Sequence, residues 1–538
     1  MSTSENSALP LQYNDPISRT GIHRVIVASS LGTLFEWYDF FLYGSLAGVF
    51  GRLFFPPGND AAGILAALAT FGAGFAVRPV GALFFGRFGD IVGRKITFLT
   101  TMLLMGGSTV AVGFLPTFSV IGWASPITLV ALRLVQGFAL GGEYGGAAIY
   151  VAEHAHPNRR GSDTSWLQTT STVGLFCSIV VISLCMHIFG GVRFAAWGWR
   201  VPFLLSLPFL VFSTYLRARL QESPVFREMK EQGKNSTRPL TDSFCDPVNL
   251  RRVLIALFGC MIGVTMISYT GQFYPLYFLT NTLKVDQPTT YLMMAIALLL
   301  SVPSYVLSGM LSDRIGRKWI IMAACALATL TYFPIFKGLT HFANPGLEAA
   351  QETAPVVISV NPASCSFHLF SKPVSECDKA KNFFAAAGIS YTNAATPNAS
   401  DVIVSIGNTQ ITGFQPDRFK EVVRAAGYPE KASNQSINFV AVTLLLTLLI
   451  SYFGLCYGPL AAFLVELFPA RVRYTSMSLP YHLATGTVGG FVPFFASALV
   501  IKNGDIYFGL WYPICGTALS FVVGLLFIKE TFMNDIRH

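Results

Sequence analysis

The sequence predicts an all-α membrane protein with twelve transmembrane helices in two six-helix bundles and a small extracytoplasmic α+β insertion between helices nine and ten. Three observations predict this fold class. First, 52% of the 538 residues are hydrophobic and only 12% are charged, whereas a soluble domain carries about 25% charged residues. Second, the chain contains twelve apolar runs, and a membrane helix needs about 20 apolar residues. Third, one loop motif occurs in both halves of the chain.

The twelve apolar runs give the predicted helices. The first run is longer than the apolar core of a signal peptide, so we expect it to remain as the first helix. The runs are 24–50, 62–85, 96–115, 126–151, 166–189, 198–218, 253–280, 288–311, 319–337, 437–465, 476–501 and 506–528.

Lysine and arginine are concentrated in alternate loops. With the N-terminus inside, 22 of them fall on the inside, and the short outside loops hold only Arg52, Arg193, Lys284 and Lys502. Because basic loops are retained in the cytoplasm, we expect a multi-pass protein of the inner (plasma) membrane with both termini cytoplasmic. The net charge of +9 has this source and gives no indication of nucleic-acid binding.

Two internal segments are too polar to span a membrane. One is a charged linker between the two halves, and the other carries strand-like pieces at 356–360 and 401–407 and helix-like pieces at 377–387 and 416–426. The predicted organisation is a cytoplasmic tail (1–23), a first bundle (24–218), a cytoplasmic linker (219–252), helices seven to nine (253–337), the inserted domain (338–436), helices ten to twelve (437–528) and a cytoplasmic tail (529–538).

The two halves share a duplicated motif. The residues Gly86-x-x-x-Asp90-x-x-Gly93-Arg94-Lys95 recur as Gly309-x-x-x-Asp313-x-x-Gly316-Arg317-Lys318, 223 positions later. A looser pair, Glu153 with Pro157 and Glu466 with Pro469, lies about 313 positions apart. The two offsets differ by about the length of the inserted domain, which indicates one duplication followed by one insertion. Parallel six-helix repeats of this kind place a substrate path at their interface.

The duplicated loop resembles the signature of the major facilitator superfamily. Further motifs resemble its metabolite:proton symporter family, which includes α-ketoglutarate, shikimate, citrate and proline/betaine transporters. The resemblance covers nearly the whole chain except 338–436, and it implies two bundles that alternate access to a central site. The motifs that carry it are Glu36-Trp37-Tyr38-Asp39-Phe40, Phe75-Ala76-Val77-Arg78-Pro79-Val80-Gly81, Arg133-x-x-Gln136-Gly137, Gly141-Gly142-Glu143-Tyr144-Gly145, Trp197-Gly198-Trp199-Arg200-Val201-Pro202-Phe203 and Glu222-Ser223-Pro224.

Ionisable side chains inside the predicted helices are candidates for proton coupling, because burying them is costly unless they serve a function. Glu36 and Asp39 are three positions apart, so they share a face of helix one. A neighbouring carboxylate and burial both favour the protonated form of a carboxyl group. Glu143 in helix four is the third candidate. The alternative is that one of these carboxylates is a permanent partner of an arginine.

Arginines and polar side chains at membrane depth are candidates for substrate binding. Arg133 could hold a carboxylate in a planar fork, or it could form a structural ion pair. Arg78 lies close to the predicted cytoplasmic end of helix two, so its alternative is snorkelling or bracing of helix packing. For His482 the alternative is a hydrogen-bonded core histidine. The candidate substrate-binding residues are Arg133, Arg78, Gln136, Tyr43, Tyr269, Gln272 and His482.

The duplicated loops predict a cytoplasmic gate. Glycine permits a tight turn between helices, and an aspartate can accept hydrogen bonds from a helix N-terminus or pair with an arginine. We expect these residues to latch the two halves together when the carrier faces outward. The alternative is simple retention of basic loops in the cytoplasm. The candidate gating residues are Gly86, Asp90, Gly93, Arg94, Glu153, Gly309, Asp313, Gly316, Arg317 and Glu466.

Only two of the nine cysteines, Cys365 and Cys377, fall in the inserted domain. We expect them to form a disulfide, because disulfides persist outside the cytoplasm. The alternative is two free thiols. The sequence holds no C-x-x-C motif, no phosphate-binding loop and no hydrolase motif. We therefore expect no metal, no cofactor and no enzymatic activity.

The resulting prediction is a secondary active transporter that couples the symport of a small organic acid to protons. A zwitterionic osmolyte such as proline or betaine is the alternative substrate class. A function of another class also stays open, namely a membrane sensor whose inserted domain detects an external ligand. The expected partners are a small-molecule substrate, protons and the lipid bilayer. We infer no nucleic acid and no obligate protein partner, and we expect a monomer.

Overall fold

The computed structural model describes residues 19–56, 60–218, 222–233, 236–361, 365, 375–396 and 401–536. A long helix corresponds to each of the twelve predicted spans. Eleven of these helices are long and apolar enough to cross a membrane, and α2 is the twelfth. The helices are α1 (Arg19–Phe54), α2 (Asp60–Ile91), α3 (Arg94–Phe114), α4 (Ala124–His154), α5 (Arg160–Arg193), α6 (Arg200–Ala218), α7 (Pro247–Thr282), α8 (Gln287–Ile315), α9 (Arg317–Ala343), α10 (Phe439–Leu467), α11 (Ala470–Asn503) and α12 (Phe508–Phe527).

Most helices are longer than the predicted apolar runs, and two of the extensions are at the ends of α2 and α9. Helix α2 continues to Ile91 rather than ending near residue 85, and α9 continues to Ala343 rather than residue 337. Polar residues end an apolar run, but they do not end a helix, because the backbone hydrogen bonds continue into the aqueous interface. Gly86 and Asp90 therefore lie inside a helix and not in a turn.

A glycine makes each of the two tight turns that the duplicated motif encodes. Gly93 joins α2 to α3 with a φ of 138°, and Gly316 joins α8 to α9 with a φ of 101°. These backbone angles are strained for any residue with a Cβ atom. The turn was predicted at Gly86 as well as at Gly93, and that part of the prediction is wrong. A Cβ atom on Gly86 would lie 2.9 Å from the Cα of Thr475, so Gly86 instead permits close packing of α2 on α11.

The two bundles meet along two helix pairs. Helix α2 of the first bundle packs on α11 of the second, and α5 of the first packs on α8 of the second. At the α5–α8 contact, a Cβ atom on Gly309 would lie 2.5 Å from the Cβ of Ser165. Small residues thus bring the helices of opposite halves into direct backbone contact, as is common between membrane helices.

The inserted domain is a four-stranded sheet with helices. Its elements are the helix Pro345–Thr353, β1 (Val356–Val360), the helix Glu376–Ala387, β2 (Tyr391–Ala395), β3 (Ile403–Ile406), β4 (Thr409–Thr412) and the helix Pro416–Ala425. The strand order is β2-β1-β3-β4, with β1 parallel to β2 and the other neighbours antiparallel. Alternate residues of β1 are buried, as expected of a strand that packs on one face. The sequence predicts the α+β class but not β2, β4 or the first helix.

The inserted domain is hydrogen-bonded to two loops of the second bundle. Asn393 donates to the carbonyl of Asn503 at 2.8 Å, and the backbone N–H of Tyr391 donates to the carbonyl of Gly504 at 2.9 Å. Lys284, between α7 and α8, donates to the carbonyl of Ala386 at 2.7 Å, and burial lowers the pKa of this lysine. The domain therefore bridges the α7–α8 and α11–α12 loops.

The inserted domain has a narrow neck. The chain leaves α9 near Phe342 and returns at Asn438, and the N–H of Asn438 donates to the carbonyl of Phe342 at 2.9 Å. The two ends of the insertion thus meet at one point, and α10 begins at the next residue, Phe439.

Candidate functional site

A small cavity lies between the two bundles. Its volume is about 30 Å³, enough for a water molecule or two and too small for a metabolite. Among the described side chains that line it, Arg78 is the only one with a formal charge. The lining residues are Trp37, Phe41, Arg78 and Ser171 of the first bundle, with Met261, Val264, Thr265, Ser268, Tyr269, Gln272, Phe273, Phe453, Tyr457, Tyr481 and Thr485 of the second.

Arg78 is buried in the middle of α2, with 2% of its surface exposed. Its guanidinium carbon lies 4.3 Å from the centre of the Phe75 ring, and its charge acts on Tyr269, Tyr457 and Tyr481 of the second bundle. Because α2 continues to Ile91, Arg78 is far from the cytoplasmic end, which excludes the snorkelling alternative. The first bundle thus presents a buried cation to a group of tyrosines on the second.

Tyrosine hydroxyls and an amide form the polar part of the second bundle's lining. Tyr269 and Gln272, both predicted from the sequence, are on the cavity wall. The Tyr457 and Tyr481 hydroxyls lie 2.8 Å apart, and Tyr144 of the first bundle stacks on Tyr481 with ring centres 3.7 Å apart. The sequence analysis did not propose Tyr457, Tyr481 or Tyr144, because a sequence does not show which tyrosines of a helix face the opposite bundle.

A second polar cluster lies inside the first bundle. Asp39 accepts a hydrogen bond from Ser206, and the charge of Arg133 acts on Asp39. The guanidinium carbon of Arg133 lies 3.6 Å from the centre of the Tyr43 ring. Gln136 completes the cluster; it donates to Thr109 at 2.7 Å. Asp39, Tyr43, Arg133 and Gln136 were all predicted as site residues, and the structure places them together but not on the cavity wall.

Two other predicted residues lie apart from both groups. Glu143 forms an ion pair with Arg217 at 3.0 Å and accepts a hydrogen bond from Thr101 at 2.8 Å. Its fixed partner is thus an arginine near the end of α6, which matches the structural alternative for this residue. His482 is buried beside Tyr481. The side chain of Glu36 lies outside the described residues.

The first copy of the duplicated motif holds the end of α2 and the beginning of α11 together. Asp90 accepts hydrogen bonds from the N–H groups of Tyr474 at 3.3 Å and Thr475 at 2.9 Å, and from the Thr475 hydroxyl at 2.8 Å. These residues form the first turn of a helical segment that begins at Arg473, where N–H groups lack helical partners. Arg94 lies 3.4 Å from Asp90 and donates to the carbonyl of Ala470 at 3.0 Å.

The second copy makes the same contact between α8 and α5. Asp313 accepts hydrogen bonds from the N–H groups of Gly161 at 2.9 Å and Ser162 at 2.7 Å, in the first turn of α5. Arg317 forms ion pairs with Asp313 at 2.7 Å and with Glu466 at 3.2 Å. Each aspartate therefore caps a helix of the opposite half, and we call the two copies together the latch.

Two glutamates extend the latch from one half to the other. Arg473 of the second bundle pairs with Glu153 of the first at 2.7 Å. Arg160 of the first bundle pairs with Glu466 of the second at 2.8 Å. The sequence analysis included both glutamates but missed Arg160 and Arg473, which are in matching positions after the loops that follow α4 and α10.

A second repeated pair, also missed, supports the latch from the ends of α6 and α12. Glu222 accepts a hydrogen bond from the N–H of Arg94 at 3.1 Å, and Glu530 accepts one from the N–H of Arg317 at 2.8 Å. The next residue in each case, Ser223 or Thr531, donates its hydroxyl to Glu153 or Glu466, respectively. The signal in the sequence is a glutamate followed by a hydroxyl residue after the last helix of each half. Only the first copy was noted.

In the inserted domain, the sulfur atoms of Cys365 and Cys377 are joined, and their Cα atoms lie 5.5 Å apart. Cys377 is in the first turn of the helix Glu376–Ala387. The bond therefore ties the chain after β1 to the helix that connects β1 with β2.

Comparisons with known proteins agree with this architecture. Residues 29–340 match the model of the Major Facilitator Superfamily. The chain is 36% identical to the shikimate transporter of Escherichia coli K12 over 332 residues, or 60% of this chain and 74% of that protein. It is 35% identical to the proline/betaine transporter of Salmonella typhimurium over 57% of this chain, which corresponds to 63% of that protein. A solved structure of the proton:xylose symporter XylE has a TM-score of 0.64 and 15% identity, and the match covers 96% of this chain and 98% of XylE.

Proposed function

Because this chain belongs to the major facilitator superfamily and is a membrane transporter rather than an enzyme, we propose that it carries a small carboxylate-bearing metabolite together with protons. The single observation that carries the proposal is Arg78, the only formal charge on the described lining of the cavity. A planar guanidinium binds a carboxylate through two parallel hydrogen bonds. A buried cation on the wall of a cavity suits an anionic ligand.

The aromatic wall adds a constraint on the rest of the substrate. Trp37, Tyr269, Tyr457 and Tyr481 surround Arg78 with rings and hydroxyl groups. Such a wall packs against a compact carbon skeleton and donates hydrogen bonds to substrate hydroxyls. This arrangement supports a small hydroxylated or cyclic acid as the substrate class.

Asp39 is the proposed proton carrier. It is a buried carboxyl group within α1, and its neighbours are the hydroxyl of Ser206 and the charge of Arg133. A carboxylate at membrane depth gains and loses its charge at a cost that depends on hydration and on the position of its counter-charge. We propose that Arg133 is this counter-charge rather than a direct ligand of the substrate, since it is not on the cavity wall.

The latch supports alternating access. With the latch closed, the cavity is too small for a metabolite. Release into the cytoplasm then requires Asp90 and Asp313 to leave the helix N-termini that they cap. We propose that a proton and a substrate together provide the free energy for this step.

A zwitterion such as betaine or proline is the second candidate substrate. The observation that favours it is the density of aromatic rings around the cavity, because quaternary ammonium groups bind over aromatic faces. Arg78 would still hold the carboxylate, so both candidates share one half of the site.

We further propose that both termini and the linker are cytoplasmic, that the inserted domain is extracytoplasmic, and that the monomer is the working unit. The excess of lysine and arginine in the loops that carry the latch supports this orientation. The two bundles that form the cavity belong to one chain, which supports a monomer.

The test is uptake into proteoliposomes, with shikimate and glycine betaine as separate probes and an imposed proton gradient. We expect accumulation of one probe, loss of that accumulation with a protonophore, and loss of uptake in Arg78→Ala. Arg314→Ala is the matched control, because Arg314 is an exposed arginine beside Asp313 and takes no part in the described latch contacts. Accumulation that persists without a proton gradient would contradict the coupling. Normal uptake by Arg78→Ala would contradict the carboxylate site.

A further inference from the structure

A histidine that is neither on the cavity wall nor in the latch lies at the contact between α2 and α11, which we call the seam. His482 has 2% of its surface exposed. Neither of its ring nitrogens has a hydrogen-bond partner in the described part of the protein. A buried polar group without a partner costs about 1–3 kcal/mol, so an unpartnered imidazole needs a physical explanation.

Contacts on either side place His482 within the seam. Towards the cytoplasm, Thr475 of α11 touches Gly86 of α2. Farther along, Gly486 of α11 lies against the carbonyl of Phe75, where a Cβ atom would be 2.8 Å from that oxygen. His482 comes seven positions after Thr475 and four positions before Gly486, so the three residues share one face of the helix. His482 therefore points at α2 between these two contacts.

The described groups that face His482 offer a proton no counter-charge. The charge of Arg78 on α2, a cation, acts on His482. No described carboxylate lies within ion-pair distance of His482. Four tyrosines lie on the helices around it, namely Tyr144 on α4, Tyr269 on α7, Tyr457 on α10 and Tyr481 on α11.

We propose that His482 binds a proton only when the seam opens, so that protonation of His482 favours the state with the cytoplasmic side open. In the closed seam, an imidazolium would be buried without an acceptor and next to the Arg78 cation, which is unfavourable on both counts. Opening of the seam separates α2 from α11 and hydrates the ring. Because the two equilibria are linked, a closed seam that disfavours protonation of His482 is itself disfavoured by that protonation, by the same free energy.

This role deepens the proposed transport function and links the proton to the substrate. A carboxylate bound at Arg78 offsets the positive charge that acts on His482. Substrate binding then makes protonation of His482 easier, and protonation makes substrate binding tighter by the same factor. Such mutual reinforcement is what a symporter requires, because the proton and the substrate must be carried together.

The test measures the seam directly and needs no substrate. Spin labels on Arg87→Cys and Arg471→Cys report the separation of the inner ends of α2 and α11; both arginines are exposed and outside the latch. The exposed cysteines Cys245 and Cys515 are replaced by serine first. Distances are measured by pulsed electron paramagnetic resonance in the purified full-length protein at about pH 8 and about pH 5, on either side of the ordinary histidine range.

We expect the ratio of open to closed seam to rise about fivefold or more at the lower pH. His482→Gln abolishes this dependence, whereas His341→Gln, at an exposed histidine near the end of α9, retains it. Arg78→Gln keeps His482 and removes the facing cation, so the midpoint of the change moves to higher pH.

A His482→Gln protein with the wild-type pH dependence would overturn the proposal. A wild-type protein whose ratio of open to closed seam does not change with pH would also overturn it. If the glutamine variant does not fold, an unchanged midpoint in Arg78→Gln overturns it. The labels report the seam without transport, so failure of the uptake assay leaves this result intact.

Discussion

Asp90→Asn removes one latch carboxylate while keeping its shape. Asp90 accepts three hydrogen bonds from the start of the helical segment at Arg473, two from N–H groups and one from the Thr475 hydroxyl. Asparagine keeps only one acceptor oxygen. Its NH₂ group takes the place of the second carboxylate oxygen and cannot accept the hydrogen bonds that this oxygen accepts in Asp90. At least one charge-assisted bond is therefore lost from the closed state.

The size of the effect follows from that loss. A hydrogen bond to a charged group contributes about 1.5–3 kcal/mol, and we take about 2 kcal/mol for Asp90. The open state makes none of these contacts, so the population ratio of open to closed changes by about thirtyfold. The cavity is built by other residues, so we expect substrate affinity within the open state to be unchanged and turnover to fall.

The assay is the labelling rate of a cysteine at Ala470, which is 2% exposed under the latch. When opening is fast relative to labelling, the rate follows the open population, so Asp90→Asn should raise it about thirtyfold. The matched control is Asp505→Asn, since Asp505 also accepts a backbone N–H, from Tyr507 at 2.9 Å, but in an outer loop. An unchanged rate in Asp90→Asn, or an equal increase in the control, would refute the latch.

Three further predictions concern the two polar groups and the inserted domain. Arg78→Lys should weaken uptake about tenfold or more, nearly as much as Arg78→Ala, because lysine keeps the charge and loses the planar fork; near-normal uptake by the lysine variant in proteoliposomes would speak against bidentate binding. Asp39→Asn should abolish proton-driven accumulation but preserve substrate counterflow, since exchange needs no net proton movement; accumulation at the wild-type level would exclude Asp39 as carrier. Cys365 and Cys377 should resist a membrane-impermeant maleimide in intact cells until a reductant is added; labelling of both without reductant would contradict the bond.

The latch was largely predictable, because the duplicated motif encodes it twice. Asp90 and Asp313 recur in the same spacing, and chance does not reproduce a charged motif at matching positions of two halves. The hydrogen-bond donor to each aspartate was not predictable. It is a helix N-terminus of the opposite half. Every residue type except proline carries a backbone N–H group, so the sequence does not show which N–H groups will bind an aspartate.

The assignment of the two buried arginines shows where sequence reasoning ends. Arg78 and Arg133 both fall in apolar runs, and both could bind a carboxylate. Which of them faces the cavity depends on the rotation of α2 and α4 about their axes and on where each helix ends. The end of α2 at Ile91 was hidden by the polar residues near it, so Arg78 was misplaced towards the cytoplasm. Tyr457 and Tyr481 depend on the same helix rotations.

The narrow neck of the inserted domain has a consequence for biosynthesis. Phe342 and Asn438 are hydrogen-bonded to each other, so α9 and α10 can associate as a hairpin while the roughly hundred residues between them are still folding on the far side of the bilayer. The domain is thus attached at a single point. Once the neck has formed, the length of the domain adds little to the entropic cost of bringing α9 and α10 together. A chain in which 345–436 is replaced by a short glycine–serine turn should therefore insert and pack its twelve helices in the same order, which makes the domain a removable module in evolution as well as in the laboratory.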